Sequence, residues 1–453
     1  MRSSVSPRPA PSVPLSVLDR LSLDTAALHP TDSALHLGAL VTLEGPPPSR
    51  ERLARWLGER AAALPELSHR LAGSAARPRW EPDPGFDAVR HLYELPGSPD
   101  PATAAAEVMT QPLPRDRPLW GVWLIRRVGT GYGLCYRAHH AFQDGAAASA
   151  TLEHLLGDRE DRRRVRAGAG LAGRRPVRWR AVLPEFRPPR RVTWWSALDT
   201  PPSHRPAVAL ADTGLARLHA VGRRLGATVP QLCLALTAET VRAWHPDDWT
   251  PGGRGRTLRA NLAIDVRDPD APLPLLGNRV AVAGVDLPCG EPDPGRRLDA
   301  VGRAVDYPRL AALADAHRML LGRLPYRLGR LALTRAVDAR YTPLMVADLR
   351  IRRPLGFDGT PAQGVYALPV RVPGQPLFVA WTVHRRRLHT TFLADAALPD
   401  TARLPEYWEA ALRALEQRAD AGETTGRSDT AAASGTAGTS AASAASAAAT
   451  GAS

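Results

Sequence analysis

His139 and His140 stand side by side, and Asp144-Gly145 follows after the three residues Ala141-Phe142-Gln143. A neutral imidazole, with an unperturbed pKa of about 6.5, can take a proton from a hydroxyl near neutral pH. A carboxylate a few residues on can orient that ring, directly or through an arginine such as Arg259 or Arg267. Such a set suits acyl transfer, and little else competes with it. The chain has no Gly-rich phosphate loop, no cysteine cluster and no metal-spaced histidine pair, so no metal is expected. Lysine is absent altogether, which excludes Schiff-base lysine chemistry.

The elements that must position these residues are legible around them. Trp123 to Val128 reads as a strand, Gly129 to Gly133 as a turn, and Leu134 to Ala138 as a returning strand. Successive strand residues point to opposite faces, so Leu134, Tyr136, Ala138 and His140 share one face. Cys135, Arg137 and His139 share the other. If the strand runs through the pair, one histidine faces a reaction channel and the other supports it from behind. Ala146 to Leu156 is a good helix former, and Asp144 stands at its N-cap position. Gly145 is expected to allow the tight turn.

HHxxxDG resembles the signature of the CoA-dependent acyltransferase superfamily, and flanking segments narrow the resemblance. Leu21-Ser22-Leu23-Asp24 with Leu35-His36-Leu37-Gly38-Ala39-Leu40 resembles the amino-terminal pattern of the bacterial wax ester synthase/diacylglycerol acyltransferases. Trp80 through Phe86 with His91, and Arg117-Pro118-Leu119-Trp120, resemble two further elements of that family. Gly277-Asn278-Arg279-Val280 with Leu287-Pro288 resembles a fourth. The chain departs from the family pattern in its second half. Thr228-Val229-Pro230-Gln231 stands where an Asn-Asp pair is usual, and Val346 to Arg352 where a Thr-Asn-Val-Pro-Gly-Pro stretch is usual. The spacers Phe142 and Gln143 are bulkier or more polar than the usual small apolar ones.

The resemblance implies an α/β (α+β) fold of two chloramphenicol-acetyltransferase-like domains with a substrate channel between them. It implies an acyl-CoA-dependent O-acyltransferase acting on diacylglycerol or a long-chain alcohol to give triacylglycerol or wax ester. Acyl-CoA is then a co-substrate and no cofactor is expected. His140 and Asp144 are the expected catalytic residues, with His139 and Gly145 in support. Asn278 is a candidate oxyanion donor, or a residue that orders its strand. Pro118, Leu119 and Trp120 shape acyl or acceptor packing, or plain core. Two alternatives stand beside this: a condensation-type acyltransferase using a carrier-bound thioester, and a non-catalytic homologue.

Length and composition fit that picture. A chain of 453 residues with 44% apolar content suggests two domains. We expect a flexible start at 1–17, a first domain at 18–157, an Arg/Pro-rich crossover at 158–204, a second domain at 205–421 and a disordered Ala/Ser/Thr/Gly tail at 422–453. In the second domain, helices are expected over Leu215 to Leu225 and from Thr228, strands over Thr257 to Ile264 and Arg279 to Leu287, and a hairpin over Leu377 to Leu393. A last helix is expected over Pro405 to Arg418.

No apolar run approaches the roughly 18 residues of a membrane span, the first residues lack a signal-peptide core, and three scattered cysteines imply no disulfide framework. A cytoplasmic protein is expected. Its net charge of +14 favours anionic surfaces. The arginines from Arg159 to Arg191, with Trp179, Trp194 and Trp195, suit either a solvated linker or peripheral contact with an anionic membrane or lipid-droplet surface. No nucleic-acid motif is present, so no nucleic-acid partner is expected.

Overall fold

The hairpin leading into the histidine pair forms as its alternation predicts. In the computed structural model, Gly129 takes a left-handed φ of 59° at the turn, and the returning strand ends at His139. The structure describes residues 11–435 apart from 32, 75, 158–181, 183–189, 250–254, 269–272, 322–324, 337 and 373. The basic crossover and Trp179 therefore lie largely outside the described residues.

In chain order, the first half contains β1 (Val13–Pro14), α1 (Val17–Leu28), β2 (His36–Leu43), α2 (Arg50–Ala61), β3 (His69–Ser74) and β4 (Arg77–Pro82). It continues with β5 (Leu92–Ser98), α3 (Pro101–Met109), β6 (Trp120–Val128), β7 (Gly131–His139) and α4 (Gly145–Leu156). The second half opens with β8 (Pro206–Gly214), α5 (Leu215–Leu225), α6 (Val229–Trp244), β9 (Leu258–Asp265) and β10 (Val280–Leu287). Then come α7 (Pro294–Ala304), α8 (Tyr307–Leu321), α9 (Tyr326–Ala336), β11 (Leu344–Arg350), β12 (Gly356–Phe357) and β13 (Thr360–Leu368). It closes with β14 (Leu377–His384), β15 (Arg387–Asp395) and α10 (Leu404–Gly435).

Local chemistry accounts for many of these boundaries. Gly226, at φ 65°, stops α5. Thr228 and Gln231 form a reciprocal capping box at the start of α6, and Pro230 sits harmlessly in its first turn. The β14–β15 hairpin turns over two residues, with Arg385 at φ 54°. The last helix runs to Gly435, past residue 422 where a structureless tail was expected. Alanine is the best helix former, and no proline interrupts this stretch. Residues 436–453 lie outside the described residues.

Two six-stranded sheets organise the molecule: β12-β13-β2-β7-β6-β5, and β10-β9-β11-β14-β15-β8. A small sheet, β1-β4-β3, flanks the first. Each large sheet has its own buried apolar core. The halves are not separate in sequence, however. The expected second domain, 205–421, lends β12 and β13 to the first sheet, where β13 pairs antiparallel with β2. Val365 and Leu368 are buried in the first core, which is why this excursion is stable.

The second sheet splits. Strands β9 and β11 pair over only Ala260–Leu262 and Leu344–Val346, and then part. The diverging residues, Ala263 to Asp265 and Ala347 to Arg350, keep their pairing with β10 and β14 but line a cavity between them. Trp195 is fully buried in the second core and Trp194 packs edge-on against Trp249, so neither forms a lipid-facing belt.

His91 and His139 are both buried in the first half. His91 stacks flat on Trp120, with ring centroids 4.3 Å apart, and its Nδ1 lies 2.9 Å from the Trp120 carbonyl. Burial lowers its pKa to about 4, and lowers that of His139 to about 3. The unfolded chain binds these protons near pH 6.5, so it holds more protons than the folded one between those values. Stability should therefore fall as pH drops below about 6.5, by up to about 1.4 kcal/mol per pH unit for each residue. The thermal midpoint should drop measurably between pH 7.5 and 5, and His91→Gln should flatten that dependence.

Candidate active site

Strand β7 ends at His139, and His140 begins the turn. The two rings consequently part. The His139 ring meets His36, its register partner on β2, edge-on at 5.5 Å. Its Nδ1 accepts from the Ala141 N–H at 3.0 Å, which assigns its proton to Nε2. Behind it, Arg137 donates to His36 Nδ1 at 3.1 Å and to the carbonyls of Val108, Met109 and Gln111 at the end of α3. His139 thus supports the turn from behind.

His140 turns the other way, into the cavity. Its backbone is held at both ends: its N–H donates to Leu35 at 2.7 Å, and its carbonyl accepts from the Asn278 side-chain amide. Nδ1 is buried, which leaves Nε2 for a substrate. Burial lowers the His140 pKa, while Asp144 and the backbone of His140 and Gln143 oppose that shift.

Asp144 caps α4 through the Ala147 N–H at 3.0 Å. Its other contacts come from the second half: Arg267 Nη2 at 2.9 Å and the Arg279 N–H at 2.8 Å. The Asp144–Arg267 pair is 3% and 2% exposed, and Arg267 also holds Asp265 at 3.1 Å. Arg267 is the partner; Arg259 instead pairs with Asp286 at 3.5 Å.

The rest of the motif loop is clasped by residues 275–279. Gln143, fully buried, donates to the Leu275 carbonyl at 3.0 Å and to Thr151 at 2.9 Å, and accepts from the Tyr136 hydroxyl at 2.6 Å. Phe142 packs edge-on against Trp80 at 5.4 Å, and its carbonyl accepts from the Gly277 N–H at 2.8 Å. Gly277, at φ 79°, is required. A Cβ there would lie 2.9 Å from an Asp19 carboxylate oxygen.

Three expectations need correction. Asn278 is no oxyanion donor: its amide hydrogens go to the His140 carbonyl and to Asp19 Oδ1 at 3.2 Å. It ties the loop down, as its ordering alternative anticipated. Gly145 has no left-handed φ, and a Cβ there would meet only Leu349 Cδ1 at 3.6 Å. It keeps the cavity wall low rather than permitting a turn. Pro118, Leu119 and Trp120 are buried outside the cavity lining. They are core, with the Leu119 carbonyl accepting from the His139 N–H at 2.9 Å and Trp120 Nε1 donating to Leu67 at 2.8 Å.

Asp19 escaped the sequence reading. It accepts from the Asn278 N–H at 2.7 Å while forming the α1 capping box with Ser16. The Ser16–Asp19 spacing signals a helix start, but nothing local points to Asn278.

The cavity has a volume of about 310 Å³ and lies between the halves. The first half contributes His140 and the start of α4, Gly145 and Ala146; the second contributes the parted ends of β9 and β11 with Phe378 and Ala380. Among the described residues, no group of three or more His, Cys, Asp or Glu is arranged to hold a metal ion. No helix among them is long and apolar enough to cross a membrane.

Two sheets thus meet at a cavity between the halves, with His140 in its wall. The chain is similar to the solved wax ester synthase/diacylglycerol acyltransferase from Marinobacter aquaeolei VT8, with a TM-score of 0.61 at 20% identity over 90% of this chain and 100% of that one. It is equally similar to the first condensation domain of the calcium-dependent antibiotic synthetase, with a TM-score of 0.62 at 19% identity over 91% and 97%. At such identities these likenesses show the fold. Residues 15–183 match the family model described as wax ester synthase/diacylglycerol acyltransferase catalytic domain. The protein named probable diacylglycerol O-acyltransferase tgs1 of Mycobacterium tuberculosis is 32% identical over 147 residues, covering 30% of this chain and 32% of that protein. A protein of Mycobacterium bovis named putative diacylglycerol O-acyltransferase matches with the same identity and coverage. The match thus spans about a third of the length of these relatives. Through this amino-terminal part the chain is similar to the wax ester synthase/diacylglycerol acyltransferases.

Removing one member of a buried ion pair strands the other charge. Arg267→Leu should cost about 3–5 kcal/mol in urea unfolding. Arg259→Leu, which breaks the more exposed pair with Asp286, should cost less than about 1 kcal/mol.

Proposed function

We propose that the protein transfers a fatty acyl group from acyl-CoA to the hydroxyl of diacylglycerol or a long-chain alcohol, giving triacylglycerol or wax ester. The observation that carries this reading is His140 in the wall of a largely apolar cavity between the halves, within the segment that matches the family model. The hydroxyl proton passes to the His140 ring as the oxygen forms a bond to the thioester carbonyl carbon. The carbon–sulfur bond then breaks, and His140 returns the proton to the CoA sulfur. No covalent enzyme intermediate and no cofactor enter this scheme. With Asn278 committed elsewhere, the first N–H groups of α4, at Gly145 and Ala146, are the donors we assign to the oxyanion. Both residues line the cavity, and a helix start leaves such groups without intrahelical acceptors. Asp144 acts as a positioning residue through Arg267.

We also propose that the enzyme works in the cytoplasm, in peripheral contact with an anionic membrane or lipid-droplet surface. The net charge of +14 supports this, as do exposed Leu328 and Leu331 on α9 beside Arg327 and Arg330. Co-sedimentation with phosphatidylglycerol vesicles should be strong at low salt and fall as salt rises.

The central test is thiol release from palmitoyl-CoA, with diacylglycerol, a long-chain alcohol or no acceptor. Wild type should release thiol only with an acceptor, and His140→Ala should lose that release. Release that survives in His140→Ala removes His140 as the base. The base must be neutral, and its pKa is lowered. The acid limb of kcat/KM should therefore fall below the ordinary imidazole value of about 6.5.

A further inference from the structure

A second, smaller cavity adjoins the first. Its volume is about 40 Å³, and Val370 and Phe378 form walls of both. It lies where the end of α1, the residues before β8 and the β13–β14 connection meet, and exposed Pro201 and Pro202 at its rim carry it to the surface. It is lined by two imidazoles and a guanidinium, those of His29, His204 and Arg371.

The His29 and His204 rings meet edge-on at 5.3 Å. Arg371 donates to the His204 carbonyl and to Thr31 Oγ1 at 2.9 Å, but forms no ion pair among the described residues, and its Nε is buried without a partner. One acid, Asp395, also lines the cavity, but its oxygens are taken. They accept from the Ser203 N–H and hydroxyl, the Ala397 N–H and the His204 N–H. The guanidinium therefore keeps spare donors beside two imidazoles, with the charge of Asp395 opposing its own only from a distance. Burial, and then Arg371 and His204, lower the His29 pKa to about 4 against the opposing charge of Asp395. A volume of about 40 Å³ exceeds the roughly 10–15 Å³ that one water needs, and a phosphate group is the anion whose geometry suits an arginine fork.

We propose that this cavity is an anion site that holds a phosphate group of the acyl donor while the thioester lies in the adjoining cavity at His140. The assignment to the donor rests on the acyl-transfer reading; the anion site itself does not.

The test is calorimetric titration of the full chain with CoA, pantetheine and inorganic phosphate, in wild type, Arg371→Gln and His204→Gln. Arg371 also ties down Thr31 and His204, so its loss can affect folding. The His204 ring makes no hydrogen bond among the described residues, and His204→Gln keeps the test decisive. Both variants should weaken CoA binding about tenfold or more, with pantetheine binding unmoved. Phosphate binding lost in the variants, with CoA affinity intact, would keep the anion site and overturn its assignment to the donor. Unchanged affinity for CoA and for phosphate in both variants would overturn the site itself. None of these readings needs turnover, so a chain that binds CoA through Arg371 yet transfers no acyl group would fail only the reading of its activity.

Discussion

The buried pair of Asp144 and Arg267 ties the reactive turn of one half to a strand end of the other. Such a pair is a poor source of stability, because desolvating two charges offsets most of their attraction. What it supplies is position. Asp144 also caps α4 and accepts from the Arg279 N–H, while Arg267 holds Asp265, so each member has fixed neighbours besides its partner. The turn carrying His140 is thereby located against the second half at several points at once. The site is complete only when the halves are assembled, which is a physical reason for two sheets to serve one histidine.

The same constraint separates the two histidines. A strand that ended one residue later would send His140 to a sheet face and bring its ring into register with its neighbours. Ending β7 at His139 keeps that ring against His36 and frees its neighbour to face the cavity. The cavity itself exists because β9 and β11 stop pairing after three residues each. A continuous ladder there would close the wall, so the parted strand edges are the structural counterpart of the cavity.

What was legible in the sequence follows from the range of the forces involved. The β6–β7 hairpin, the stop at Gly226 and the capping box at Thr228 are written within a few residues, and they appear where expected. The lending of β12 and β13 to the first sheet depends on a partner more than 300 residues away, β2, and no local pattern announces it. Asn278 shows the same limit from the other side. Its motif marked it as important, but whether its amide faces a substrate or the His140 carbonyl depends on Asp19, which lies on the first helix. Arg259 and Arg267 were indistinguishable by type. Only the fold shows that one is buried beside Asp144 and the other beside Asp286.

Two departures from the family pattern, alike on paper, differ in consequence. Phe142 and Gln143 are unusual spacers, but both point away from the cavity. Phe142 fills space against Trp80, and every polar group of Gln143 finds a partner in Tyr136, Thr151 or Leu275. Their size and polarity are absorbed by the core. Val346 to Arg352 is another matter, because Ala347 to Arg350 and Arg352 line the cavity. Asp348 sits there, and Arg350 is 3.0 Å from it. With Arg350 and Arg352 it brings charge to this part of the wall. Divergence in this chain therefore bears on the cavity wall, while His140 and the turn that carries it are held by contacts the divergence leaves in place.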